Sequence, residues 1–250
     1  MVQHKFTFEG LTIPYYVFGK GKPIIFFHGL GANPFTYQTI LTLLSRDFCV
    51  IAPGIPPFGR APTPKDVWNF SNYAHYFSAF VDSLGYERVT VLGHSYGGGI
   101  GMYLSMKNTH IDHLILINPI GIPLKYKQWH IVWNVFRKSC WLFLLGKETI
   151  MISLIGDFFQ TVMYRLSSLP TAVKIIHRSM YHSMVHFKEI PVPTSILWGT
   201  EDELLSPEYV ETLREMIPHA TVYPVSGYHN WCFFKPEIVY KHVLAALNTE

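Results

Sequence analysis

Val89-Thr90-Val91-Leu92-Gly93-His94-Ser95-Tyr96-Gly97-Gly98 is the stretch from which the rest of this chain can be read. Its first four residues are apolar or β-branched, as in a strand buried on both faces. Gly98 to Met106 has the composition of a helix. Ser95 therefore sits on a sharp strand-to-helix turn. Gly-x-Ser-x-Gly by itself is a weak motif, and its neighbours give it meaning. A serine on such a turn has strained backbone, and residues two positions away must lack side chains for the segments to approach. The helix start also turns amide N–H groups and positive dipole toward developing negative charge.

Working outward, the same alternation recurs on both sides. Thr7-Phe8 and Ile13 to Val17 read as antiparallel strands around a turn at Gly10. Pro23 to Phe27 is a buried strand ending in His28-Gly29, Tyr37 to Leu44 a helix, and Phe48 to Ala52 another buried strand. A Pro/Gly-rich loop covers Pro53 to Pro64. Tyr73, Phe77, Phe80, Val81 and Leu84 recur at helical spacing, with Ser71-Asn72 as the start and Gly85 as the stop. Leu114 to Ile117 and Thr194 to Trp198 are strands, Pro207 to Met216 a helix, Ala220 to Tyr223 a strand and Pro236 to Leu247 a closing helix. Such alternation predicts an α/β fold with a mostly parallel sheet flanked by helices. From 121 to 189 the strands stop. That stretch is expected to be a helical cap inserted into a core formed by 1–120 and 190–250.

Composition narrows the function classes. With 49% apolar and 15% charged residues, the chain can bury a sizeable core and is neither disordered nor fibrous. The net charge of +3 comes without any Lys/Arg cluster, so no nucleic-acid partner is expected. Cys49, Cys140 and Cys232 show no disulfide or zinc-ligand spacing, and no metal is expected. The N-terminus lacks the apolar region of a signal peptide, which favours the cytoplasm. Trp129 to Leu166 is oily, yet Arg137, Lys138, Lys147, Glu148, Asp157 and Arg165 interrupt it too often for a membrane span. It leaves room for a lipid-touching surface without favouring one.

A serine nucleophile needs a base, and 13 histidines compete for the role. His229 follows the last strand and precedes the last helix, so its loop lies at the carboxyl edge of the sheet, on the side of Ser95. The base needs an acid to hold its tautomer. Asp202 lies just past the strand Thr194 to Trp198, with Glu201 and Glu203 as competitors. The oxyanion needs two N–H donors. Tyr96 follows the nucleophile, and Leu30 lies in the loop His28-Gly29-Leu30-Gly31 after the strand at Pro23 to Phe27. His28 reads as a structural residue whose hydrogen bonds hold that loop.

These four signatures, His28-Gly29-Leu30-Gly31, Gly93-His94-Ser95-Tyr96-Gly97-Gly98, Gly199-Thr200-Glu201-Asp202 and His229, together resemble the α/β-hydrolase fold family and its small capped serine esterases and lipases. They occur in family order across nearly the whole chain. The resemblance implies Ser95 as nucleophile, His229 as base, Asp202 as its orienting acid, Leu30 and Tyr96 as oxyanion donors, and no cofactor. It implies ester hydrolysis, and the richness of the expected cap in Trp, Phe, Met and Leu suits small-to-medium apolar esters. Lactones or C–C bonds are alternative targets of the same triad, and a small-ligand receptor is a non-enzymatic alternative. The sequence does not predict the oligomeric state. Three departures stand out. Gly54 to Ala61 lacks the family's Asp and Ser, Tyr228 replaces a common Gly before His229, and Phe234-Lys235 precedes Pro236 where a Glu is usual.

Overall fold

A computed structural model describes residues 1–58, 60–124, 168–182 and 187–247. Eight strands form one sheet in the order β1-β2-β4-β3-β5-β6-β7-β8. They are β1 (Val2–Phe8), β2 (Leu11–Phe18), β3 (Lys22–Phe27), β4 (Phe48–Pro53), β5 (Val89–His94), β6 (Ile111–Ile117), β7 (Thr194–Gly199) and β8 (Thr221–Val225). The β1–β2 and β2–β4 pairs are antiparallel and every other pair is parallel. The two outermost strands differ from the middle as edges should. β4 and β5 are buried at every position, whereas β1 and β8 are largely exposed, and β8 carries Pro224, which an edge strand tolerates.

Strand residues alternate between two cores because successive side chains point to opposite faces. Ile25 and Phe27 face one core and Ile24 and Phe26 the other. The first core is covered by α2 (Phe70–Leu84), α3 (Tyr96–Ser105) and α5 (Pro207–Met216), the second by α1 (Gln38–Leu44) and α6 (Pro236–Leu247). Helix ends show the chemistry that sets them. Asn69 caps α2 through a reciprocal pair of hydrogen bonds with Asn72, two residues earlier in the chain than the expected Ser71-Asn72 start. Gly85 ends α2 in a left-handed conformation at φ 71°. Strands run one to five residues longer than the apolar runs suggest, because ladder pairing takes in residues such as Pro53, Gly93 and Gly199 that an apolar run does not mark. β1 starts at Val2 and β8 ends at Val225.

Of the cap expected over 121–189, residues 125–167 and 183–186 lie outside the described residues, as does Cys140. The described part contains α4 (Leu169–His182), which rests on the first core through Ile175 and Met180. The Leu124 N–H donates to the Met180 carbonyl, and the Ser179 hydroxyl lies 2.8 Å from that of Tyr96. Cys49 and Cys232 are buried free thiols. Among the described residues, no helix is long and apolar enough to cross a membrane.

Candidate active site

The turn after β5 is built by what its glycines leave out. A Cβ at Gly93 would lie 2.6 Å from the Gly97 carbonyl oxygen, and one at Gly97 would collide with the Phe27 carbonyl. Ser95 occupies the tip at φ 53°, ψ −118°, a conformation that L-residues rarely adopt. Its N–H donates to the Ile117 carbonyl, and its own carbonyl accepts from Gly98, Gly99 and Ile120 N–H groups. Neighbouring structure thus over-determines the strained residue. Helix α3 begins at Tyr96, two residues before the expected start, so the Tyr96 N–H is the first helical amide. Such an amide has no acceptor within its own helix.

Ser95, His229 and Asp202 come together. Ser95 Oγ is 2.8 Å from His229 Nε2, and His229 Nδ1 is 2.8 Å from Asp202 Oδ2. The side chains of His229 and Asp202 are 3% and 1% exposed, and Ser95 is 6% exposed, so water scarcely screens the line. With Nδ1–H donating to the carboxylate, Nε2 is left as an acceptor for the serine proton. The neighbouring carboxylates go elsewhere. Glu203 accepts from the His229 backbone N–H at 3.2 Å, and Glu201 accepts from the Ser226 hydroxyl. Burial pushes the Asp202 carboxyl up. The attraction of His229 and hydrogen bonds from His229, Asn118 and the Leu205 N–H outweigh it and hold the group below its ordinary value. Asp202 Oδ1 accepts from Leu204 and Leu205 N–H at 2.8 and 2.9 Å, which pins the acid within its own loop.

Leu30 lies beyond the carboxyl end of β3, in a loop held by His28. Its Nδ1–H donates to the Gly29 carbonyl at 2.9 Å, and its Nε2 accepts from the Ile55 N–H at 3.1 Å. Burial lowers the His28 pKa to about 4, against a smaller upward effect of the Gly29 hydrogen bond, so the ring is neutral. Gly29 C=O and Leu30 N–H belong to one trans peptide, so anchoring the carbonyl aims the N–H the opposite way.

Asn118 escaped the sequence reading. It sits at φ 41° just past β6, donates from Nδ2 to Asp202 Oδ2, and accepts at Oδ1 from Gly199 N–H at 3.1 Å and Trp231 Nε1–H at 2.8 Å. The one available signal was a polar residue closing the apolar run Leu114 to Ile117. Among the described residues, no group of three His, Cys, Asp or Glu is arranged to hold a metal ion.

Residues 22–139 match the model of the alpha/beta hydrolase fold family. An uncharacterized protein of Mycobacterium tuberculosis (strain ATCC 25618 / H37Rv) is 32% identical over 117 residues, or 46% of this chain; the match spans only 34% of that relative's length. The uncharacterized hydrolase YugF of Bacillus subtilis (strain 168) is 20% identical over 96% of this chain and 95% of its own. The enol-lactonase from Burkholderia xenovorans LB400 superposes with a TM-score of 0.82 over 98% of this chain and 99% of that one, at 16% identity. At that identity the likeness establishes the fold alone.

Proposed function

We propose, from the α/β-hydrolase fold and the match of residues 22–139 to that family's model, that this chain is a serine hydrolase cleaving small-to-medium apolar carboxylic esters. One observation carries the reading: the buried line from Ser95 Oγ through both nitrogens of His229 to Asp202, with 2.8 Å at each contact. His229 Nε2 removes the Ser95 proton as Oγ bonds to the ester carbonyl carbon, whose oxygen takes the displaced electron pair. The Tyr96 and Leu30 amides stabilise that oxyanion. The intermediate collapses, the C–O bond to the alcohol breaks, and His229 gives its proton to the departing alkoxide. Water then repeats the sequence on the acyl-enzyme, releasing the acid and restoring Ser95.

The preference for apolar acyl or alcohol groups is supported by large apolar side chains exposed on the loops that carry the site. They are Leu30 in the oxyanion loop and Tyr228 and Phe234 on either side of His229 and its short helical turn. Hydrolysis of p-nitrophenyl esters of graded chain length tests the reading. The expected result is a preference for apolar acyl chains, and a fall in kcat of about 10⁴-fold or more in Ser95→Ala. Near-parental rates in that variant would refute the nucleophile. Preference for charged or peptide substrates would refute the substrate class.

A further inference from the structure

Beneath the proposed catalytic groups lies a second set of buried polar side chains that the acyl-transfer scheme does not use. The Tyr37 hydroxyl accepts from the Gly29 N–H at 3.0 Å and lies 2.6 Å from His94 Nδ1. His94 Nε2 lies 3.2 Å from the His229 carbonyl oxygen. One proton arrangement satisfies all three contacts: the Tyr37 O–H donates to Nδ1, and Nε2–H donates to the His229 carbonyl. Burial, reinforced by neighbouring His229, lowers the His94 pKa to about 3, so its ring is neutral and able to accept at Nδ1. Burial likewise raises the Tyr37 pKa and keeps the phenol protonated.

The pair joins three loops at one point each. Gly29 immediately precedes Leu30, His94 immediately precedes Ser95, and His229 is the proposed base. Packing adds a second constraint. A Cβ at Gly29 would lie 2.9 Å from Tyr37 Oη, 3.2 Å from His94 Nδ1 and 3.5 Å from Ser95 Cβ, so the oxyanion loop lies directly on the hydroxyl–imidazole pair. Phe26 and Phe233 flank the Tyr37 ring at 4.8 and 4.7 Å between centroids, which leaves the hydroxyl little lateral freedom.

The geometry points to Tyr37 and His94 as positioning residues that set the Leu30 amide against Ser95 and His229, so that the oxyanion donor and the base stay in register. The pair acts through other groups and touches no reacting atom. This rests on the serine-hydrolase reading above and deepens it. An oxyanion donor helps only when it is aimed at the position the oxyanion will occupy. Loosening it should therefore weaken the transition state while leaving ground-state binding alone.

Tyr37→Phe removes one oxygen and both of its hydrogen bonds. The expected result is a fall in kcat of about 10- to 100-fold with KM within about twofold, less than the loss of a whole oxyanion donor. The Ki of an aliphatic trifluoromethyl ketone, which mimics the tetrahedral adduct, should rise by the same factor as kcat/KM falls. His94→Asn, whose side-chain oxygen can accept from Tyr37, should keep more activity than His94→Leu. Thermal unfolding of each variant separates lost catalysis from lost fold. If Tyr37→Phe does not fold, the His94 pair carries the test. Parental kcat in Tyr37→Phe, an unchanged ketone Ki, or equal activity in the two His94 variants overturns the inference. If the parent cleaves esters and Ser95→Ala does not, such a result sinks this inference alone. If the parent cleaves no ester, the serine-hydrolase reading itself falls.

Discussion

Ser95 and Asn118 occupy equivalent places on neighbouring strands: each follows the carboxyl end of its strand, and each is a non-glycine residue at positive φ, 53° and 41°. They became legible in opposite ways. Ser95 is framed by Gly93, which leaves room for the backbone of Gly97, and by Gly97, which leaves room for the end of β3 at Phe27 and His28, so its turn leaves a mark in the local sequence. Asn118 stands between Ile117 and Pro119 with no such frame. Its bonds run to Asp202, Gly199 and Trp231, 81 to 113 positions away. A conformation imposed by sterics is written beside the residue. One sustained by distant hydrogen bonds is not.

Acid should separate the two strand ends most strongly. His28 and His94 belong to the Ser95 side, with folded pKa values lowered to about 4 and about 3 from an ordinary 6.5. As pH falls below 6.5, the unfolded chain takes up protons that the folded one refuses, so stability drops with pH by about 3 kcal/mol for each histidine at pH 4. Asp202, on the Asn118 side, is lowered from 3.8, and its contribution is lost only below that value. Urea unfolding at pH 7, 5.5 and 4 reads the first window. A midpoint that does not move across it would contradict the neutral, buried histidines.

A smaller effect is expected from Asn118→Ala. It frees the Asp202 carboxylate on one side and leaves two buried N–H groups without their acceptor. Misorientation of the acid should cost about 10- to 100-fold in kcat with little change in KM. Initial rates on a p-nitrophenyl ester check this; activity within twofold of the parent would make Asn118 a packing residue only.

Ser95→Gly sharpens the contrast at the lowest energy. Glycine adopts positive φ freely, so relief of the strained turn should raise unfolding stability by about 1 kcal/mol while ester hydrolysis is lost. Asn118→Gly should instead lose stability, because the hydrogen bonds outweigh the strain. Denaturant titration of the two variants gives the comparison directly, and opposite signs are the expected outcome.

The apolar runs at Pro23 to Phe27, Phe48 to Ala52, Val89 to Leu92, Leu114 to Ile117 and Thr194 to Trp198 determined the alternating α/β order, and Gly93 and Gly97 determined the turn that presents Ser95. Hydrophobic periodicity acts within a few residues, and both glycines stand beside Ser95 in the chain, although the backbone that Gly97 leaves room for, at Phe27 and His28, is remote. The position of His229 followed from the same logic, because the loops after parallel strands share one edge. The sequence reading chose Asp202 with Glu201 and Glu203 as competitors, and the tertiary structure separates the three by backbone direction, turning Asp202 alone of them to the imidazole. Only the tertiary structure brought Asn118 to Asp202 across 84 positions, Tyr37 to His94 across 57 and His94 to His229 across 135. Those partners are set by strand order and register, which place remote loops side by side. No window of sequence contains both ends of such a bond.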